Sequence, residues 1–253
     1  MDNKKFHNNL IVSTSPHIVT DEDTTKLMGT VLLAMLPALV ASTYIFGARV
    51  LLLAAVCIVA SVGFEWIYNM LAKKPQTISD LSAAVTGLLI AFNVPSSFPL
   101  WMAVIGCFVA IVVIKQLYGG IGRNFVNPAI TARIFLFISF AAQMTTWPLP
   151  RMAAKTDALT GPTPLALVAG GASKSDLPSN MDMFLGFTGG SLGEVSALAI
   201  LVGGLFLIWR KVISPAIPCA FLGTIFVIAL AYYKGDFNMA IFHVCAGGVM
   251  LGA

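Results

Sequence analysis

The chain has 253 residues, of which 58% are hydrophobic and 10% charged, with a net charge of +4 and a mean hydropathy of +0.88. Soluble globular domains carry roughly 25% charged residues, so this composition excludes a soluble enzyme or binding domain. The small positive excess sits beside apolar runs, where it bears on membrane orientation and not on nucleic acid.

Apolar runs near the roughly 20 residues of a helical span recur along the sequence, and the alternation of a membrane barrel is absent. The predicted fold is therefore all-α: a polytopic membrane protein, a helix bundle with short and discontinuous helices. A polar leader, residues 1–26, lacks the short apolar core and small-residue cleavage site of a signal peptide and is read as a retained cytoplasmic segment. Helices are predicted over 27–46, 50–71, 79–93, 98–117, 127–143, 192–210, 214–233 and from 239 onward. The last run is too short to cross and is expected to be cut inside a helix. The organisation is then a first membrane helix group (27–143), an extracytoplasmic loop (144–188) and a second group (189–253).

Two of these segments, 79–93 and 127–143, fall short of a crossing and are flanked by Gly, Pro and Asn. That is the pattern of discontinuous helices around a protein-enclosed cavity near mid-depth, and equally of ordinary thin or tilted helices. A cytoplasmic N-terminus puts Lys4, Lys5, Lys26, Lys73, Lys74, Lys115, Arg123, Arg210 and Lys211 on one side. It leaves Arg49, Arg151, Lys155, Lys174 and Lys234 on the other, which satisfies the positive-inside rule in a multi-pass protein of the cytoplasmic (inner) membrane.

Candidate chemistry concentrates in the longest polar interval. Asp157-Ala158-Leu159-Thr160-Gly161-Pro162-Thr163 combines turn-forming residues with hydroxyls, and Thr163 is offered in an extended, accessible stretch between prolines. On turn chemistry alone the string is an ordinary loop, and Asp157 and Thr160 serve equally as a local cap or as contacts for a modifying enzyme. Cys57, Cys107, Cys219 and Cys245 stand in separate apolar runs without CxxC spacing, which argues against a metal or iron–sulfur site and for small core residues. Asp80 and Glu194 fall at predicted helix starts, where the dipole favours carboxylates. Glu65 lies deeper in a span and is a weak candidate for ion handling.

Two stretches carry a resemblance. Asp157 to Thr163 with the following Pro164-Leu165, and Gly119-Gly120-Ile121-Gly122-Arg123-Asn124-Phe125-Val126-Asn127-Pro128-Ala129, resemble the D-type membrane subunit of the Rnf ion-translocating ferredoxin:NAD oxidoreductase and its relative, the B-type membrane subunit of the sodium-pumping NADH:quinone oxidoreductase. The likeness covers essentially the whole chain, and the short leader and Asp157-Ala158-Leu159 favour the Rnf side. It implies a bacterial or archaeal electron-transfer subunit that is not catalytic alone, with no metal ligands of its own, working with other membrane and peripheral subunits in the lipid bilayer. It further implies that a flavin transferase esterifies the phosphate of FMN to Thr163, with Asp157, Thr160 and Gly161 completing the recognition pattern. Pro162 stands where the family usually has Ala.

The relative's Asn-x-x-Asn-Pro pattern implies a second, non-covalent flavin, riboflavin, held by Asn124 and Asn127. Their spacing of three predicts one helical face, and amides suit a flavin's uracil-like edge. Asn127 is equally suited simply to cap the helix that Pro128 begins. Arg123 is either a cytoplasmic anchor or a charge beside the flavin. The competing class is a flavin-free secondary transporter or channel, since interrupted helices also mark substrate sites in transporters.

Overall fold

In the computed structural model residues 23–151, 160–173 and 176–252 are described. Among the described residues two helices have the length of a full crossing, α1 (Thr24–Phe46) and α2 (Arg49–Leu71), of 23 residues each. At 1.5 Å per residue each reaches about 35 Å. They follow the predicted runs closely, because a long apolar segment in lipid can satisfy its backbone only within its own helix.

Beyond α2 the helices break. The predicted segment 79–93 becomes a 3₁₀ turn (Ile78–Asp80), a left-handed Leu81 (φ 61°) and α3 (Ser82–Phe92). α4 (Leu100–Phe108) widens without interruption into a π-helical stretch, Val109–Gln116. α5 (Pro128–Ser139) starts on its proline, whose missing N–H costs nothing in a first turn, and is followed by the short α6 (Ala141–Met144). The two segments expected to be short are so, with 11 residues in α3 and 12 in α5.

After the polar interval come α7 (Pro164–Ala169), α8 (Asn180–Leu185), α9 (Ala197–Trp209), α10 (Ala216–Tyr232), α11 (Phe237–Val244) and α12 (Gly247–Gly252). The helix predicted from 192 begins only at Ala197, behind a Ser196 cap whose Oγ accepts the Ala199 N–H at 3.3 Å. The residues before it are taken up in a turn docked on the end of α3: the Gly193 N–H donates to the Phe92 carbonyl at 2.9 Å, and that of Leu192 to the Val94 carbonyl at 3.2 Å. Apolarity alone had extended the helix through this turn.

Close crossings hold the bundle. A side chain on Gly87 of α3 would come within 2.6 Å of the Cys57 carbonyl of α2, and one on Gly203 of α9 would strike the Ala34 carbonyl of α1. Between helices in lipid, where hydrophobicity gives little drive, such small-residue contacts bring dispersion and backbone dipoles into range. Cys57, Cys107 and Cys245 are buried as expected, but Cys219 is exposed on α10. Only Ala229 of that helix is buried, so an apolar run there did not mean a core position.

The two ends of the bundle are distinct. At one, Thr25 Oγ1 donates to the Ser79 carbonyl at 3.0 Å, and Lys26 and Arg210 line a common surface groove. At the other, Arg49 Nε donates to the Ser96 carbonyl at 3.1 Å, and the Arg151 N–H reaches the Ile45 carbonyl at 3.2 Å. The loop carrying Thr163 follows Arg151 at this second end.

Candidate functional site

The acceptor loop is held by backbone contacts. Thr160 pairs with Pro148 in an isolated antiparallel bridge, and the Gly161 N–H donates to the Trp147 carbonyl at 3.0 Å. Thr163 follows in extended conformation (φ −70°, ψ 157°) as the cap of α7, its Oγ1 accepting the Ala166 N–H at 3.2 Å, and Pro164 opens the helix. The oxygen's role as acceptor leaves its own proton free to be taken by an external base. Thr163 is half-buried, with exposed Pro162 beside it. Asp157 lies outside the described residues.

Thr163 lines a cavity of about 350 Å³ shared with Trp147, Gly189, Gly190, Arg133 and Glu194, and closed by Cys245 to Gly248. That volume falls within the roughly 300–1,000 Å³ of small-molecule pockets. Two features admit a flat ring: the glycines present no side chains to it, and the hydroxyl of Thr163 stands on its wall. The residues present thus fit a flavin tethered at that hydroxyl.

The deep part of the cavity is where helices stop. Asn93 caps the end of α3 by donating Nδ2 to the Leu89 carbonyl at 2.7 Å, while its Oδ1 accepts Arg133 Nη1 at 2.8 Å. The same Nη1 lies 2.9 Å from Glu194 Oε1. Glu194 is in the turn before α9 and not at the helix start, so the dipole reading of this carboxylate is replaced by an ion pair. Its backbone carbonyl presses on Gly247, where no larger residue fits. Arg133 carries much of this arrangement and sequence reasoning passed over it. The signal was there, since an arginine inside an apolar run is a functional candidate by default.

A second charge pair lies near the opposite end. Glu65 Oε2 is 2.8 Å from Lys115 Nζ, with side-chain exposures of 0% and 3%. Thr77 Oγ1 donates to Glu65 Oε1 at 2.5 Å, and Lys115 also reaches Ser82 Oγ at 2.5 Å. Asp80 Oδ1 accepts the free Ser82 N–H at 2.8 Å just ahead of α3, whose cap position is Leu81, in line with the structural reading of this carboxylate at a helix start. Lys115, assigned from sequence to the cytoplasmic side, is buried within the bundle. The π-helical stretch that delivers it has no signature in apolar periodicity.

Asn124 and Asn127 do not share a helical face. Asn124 is in the loop before α5, and Asn127 is the cap, its Oδ1 accepting from Ala129 N at 3.0 Å and Ile130 N at 3.3 Å. The helix begins at Pro128, after both asparagines, so the predicted spacing does not apply. Asn124 Oδ1 is nonetheless buried without a hydrogen-bond partner. Close by, the rings of Tyr118 and Phe125 pack at 4.6 Å. Arg123 is exposed, and its guanidinium makes no hydrogen bond to either asparagine side chain among the described residues.

Comparison with known proteins gives a concordant result. Residues 11–253 match the family described as NQR2, RnfD, RnfE. The chain is similar to the D-type subunit of the Na(+)-translocating ferredoxin:NAD(+) oxidoreductase complex of Acetobacterium woodii, at 45% identity over 97% of this chain and 75% of that one. It is similar to the D-type subunit of the proton-translocating ferredoxin:NAD(+) oxidoreductase complex of Clostridium ljungdahlii, at 37% over 96% and 76%. A third relative is the D-type subunit of the ion-translocating oxidoreductase complex of Aliivibrio salmonicida, at 35% over 96% and 79%.

Proposed function

Because the chain belongs to the NQR2, RnfD, RnfE family, we propose that it serves as the D-type subunit of an ion-translocating ferredoxin:NAD oxidoreductase complex and carries FMN esterified to Thr163. The observation that carries the flavin reading is the Thr163 hydroxyl on the wall of a glycine-lined cavity that runs down to Arg133 and Glu194. A bound flavin supplies electron acceptance and release, one or two at a time, and the protein supplies position and surroundings.

This chain's residues divide that work. Gly161, hydrogen-bonded to Trp147, and the Thr160 bridge to Pro148 fix the attachment point against the bundle. Trp147 and the glycines at 189 and 190 bound the slot, while Cys245 and Ala246, both buried, keep water from its inner wall. The chain performs no complete reaction alone. Electrons arrive from and leave to other subunits, and their flow is coupled to Na⁺ or H⁺ movement across the membrane. Moving one ion against 100 mV costs about 2.3 kcal/mol, so electron flow must be tied to a change in ion access. The orientation follows from the sorted ends: an N-terminus on the cytoplasmic side with Lys26 and Arg210, and Thr163 on the outer side with Arg49 and Arg151.

A second flavin, riboflavin, is proposed at Asn124 and Asn127 on the cytoplasmic side. The orphaned Asn124 Oδ1 supports it, because a buried acceptor without a partner costs about 1–3 kcal/mol and a flavin's ring N–H would relieve it. Asn127 Oδ1 is already engaged by the helix, which leaves only its amide N–H groups for a ligand. The flavin-free transporter or channel reading loses its ground with the family assignment, since interrupted helices were its sole support.

The test is in-gel flavin fluorescence after denaturing electrophoresis of wild type and Thr163→Val, each co-expressed with a flavin transferase, followed by peptide mass analysis. A fluorescent wild-type band that disappears in the variant is the expected outcome. A non-fluorescent wild type in the presence of active transferase would overturn the covalent reading and point to Pro162 as the residue that spoils acceptance.

A further inference from the structure

We propose that the Arg133–Glu194 pair forms the electrostatic floor of the flavin slot and sets the midpoint potential of the flavin attached at Thr163. The inference rests on the covalent-FMN reading and adds to it two residues that no sequence motif marks.

Arg133, Glu194 and Thr163 line one cavity, although they come from α5, from the turn before α9 and from the outer loop. Arg133 is not free to swing away, because Nη1 is shared between Asn93 Oδ1 at 2.8 Å and Glu194 Oε1 at 2.9 Å. Glu194 is fixed in turn by its backbone, which abuts Gly247, and by the Gly193 hydrogen bond to the end of α3. Side-chain exposures of 35% and 16% show that the pair opens onto the cavity and is not sealed beneath it. A rigid cation on a half-enclosed wall, joined through a single nitrogen to its counter-ion, acts as an oriented dipole. Its field is far less screened than that of a mobile surface arginine.

Reduction of a neutral isoalloxazine by two electrons and one proton adds one net negative charge to the ring. The electrons come from the redox chain of the complex, and the proton from water reaching the open side of the cavity. Arginine carries a permanent positive charge and can offset the one added to the ring. The neighbouring carboxylate opposes the change. The two residues therefore pull the potential in opposite directions. Removal of Arg133 leaves an uncompensated carboxylate at the slot and disfavours reduction, whereas neutralisation of Glu194 frees the full positive charge and favours it.

The experiment is a spectroelectrochemical titration of the assembled complex carrying Arg133→Gln or Glu194→Gln, with the Thr163→Val complex subtracted to isolate the flavin at Thr163. Arg133→Gln is expected to weaken reduction of that flavin at least tenfold, about 30 mV downward for the two-electron step. Glu194→Gln is expected to shift it upward, and both variants keep their in-gel fluorescence. Opposite signs are what a merely structural disturbance would not produce. If Arg133→Gln fails to assemble, the upward shift in Glu194→Gln must still appear. Shifts of the same sign, or none in flavinylated variants, overturn this inference while leaving the covalent flavin intact. A fluorescent band that survives Thr163→Val removes the flavin reading, and the floor falls with it.

Discussion

Glu65–Lys115 and Glu194–Arg133 are both carboxylate–cation pairs formed across interrupted helices, with separations of 2.8 and 2.9 Å, yet one is 0% and 3% exposed and the other 16% and 35%. The first is enclosed by α2, α3 and the π-helical stretch, and both carboxylate oxygens are engaged, by Lys115 and by Thr77. The second lies on the wall of a cavity that also contains the proposed cofactor attachment point. Equal geometry thus serves different ends. A sealed pair has no differential contact to make with a ligand or ion, whereas an open one can interact with whatever enters. The ion-handling reading of Glu65 weakens accordingly, because a tethered ammonium already occupies the position a cation would take.

The largest effect that separates the two sites is expected from Lys115→Met. It strands Glu65 in a dry interior and should destabilise the fold by about 3–5 kcal/mol, read as loss of assembled complex or as a lowered midpoint in detergent unfolding. Combining it with Glu65→Leu should recover most of that loss, since an apolar pair of similar volume needs no compensation. Recovery would mark the pair as replaceable structure. A double variant that assembles but no longer translocates ions would reverse the comparison and restore Glu65 as an ion site.

Glu194→Gln should cost much less, about 1 kcal/mol, because both partners are partly exposed and Asn93 still holds the guanidinium. Its effect belongs in the redox titration and not in the unfolding curve. A stability loss as large as that of Lys115→Met would show that exposure does not distinguish the two pairs.

At the Asn127 cap the expected effects are smaller and separate two roles of one side chain. Asn127→Ala should cost about 1 kcal/mol through loss of the cap on α5 and should also lower acid-extractable flavin. Asn127→Asp caps as well and should change stability by only about a few tenths of a kcal/mol, while removing the amide donors. Retention of full extractable flavin in Asn127→Asp would assign Asn127 to capping alone and leave Asn124 as the residue that faces the ligand.

Several features were legible in the residues without coordinates. Composition and run length established an all-helical membrane protein, since lipid leaves an apolar backbone no other way to satisfy its polar groups. Gly, Pro and Asn around 79–93 and 127–143 marked the short helices, because these residues stop or start a helix for local reasons that neighbours rarely override. Asp157 to Thr163 stood out through the same local chemistry.

What required tertiary structure was everything set by encounter between distant segments. The turn at Leu192 to Ser196 reads as helix until the end of α3 is there to accept its N–H groups. Lys115 reads only as one of the cytoplasmic-side charges until a π-helical stretch turns it toward Glu65. Arg133, Asn93, Glu194 and Thr163 come from four separate parts of the chain and meet only around the cavity. Helix starts, stops and spans depend on residues within a few positions of one another, so the sequence determines them directly. Charge pairing, burial and cavity walls depend on which helices cross and at what depth, and only the packed bundle decides those.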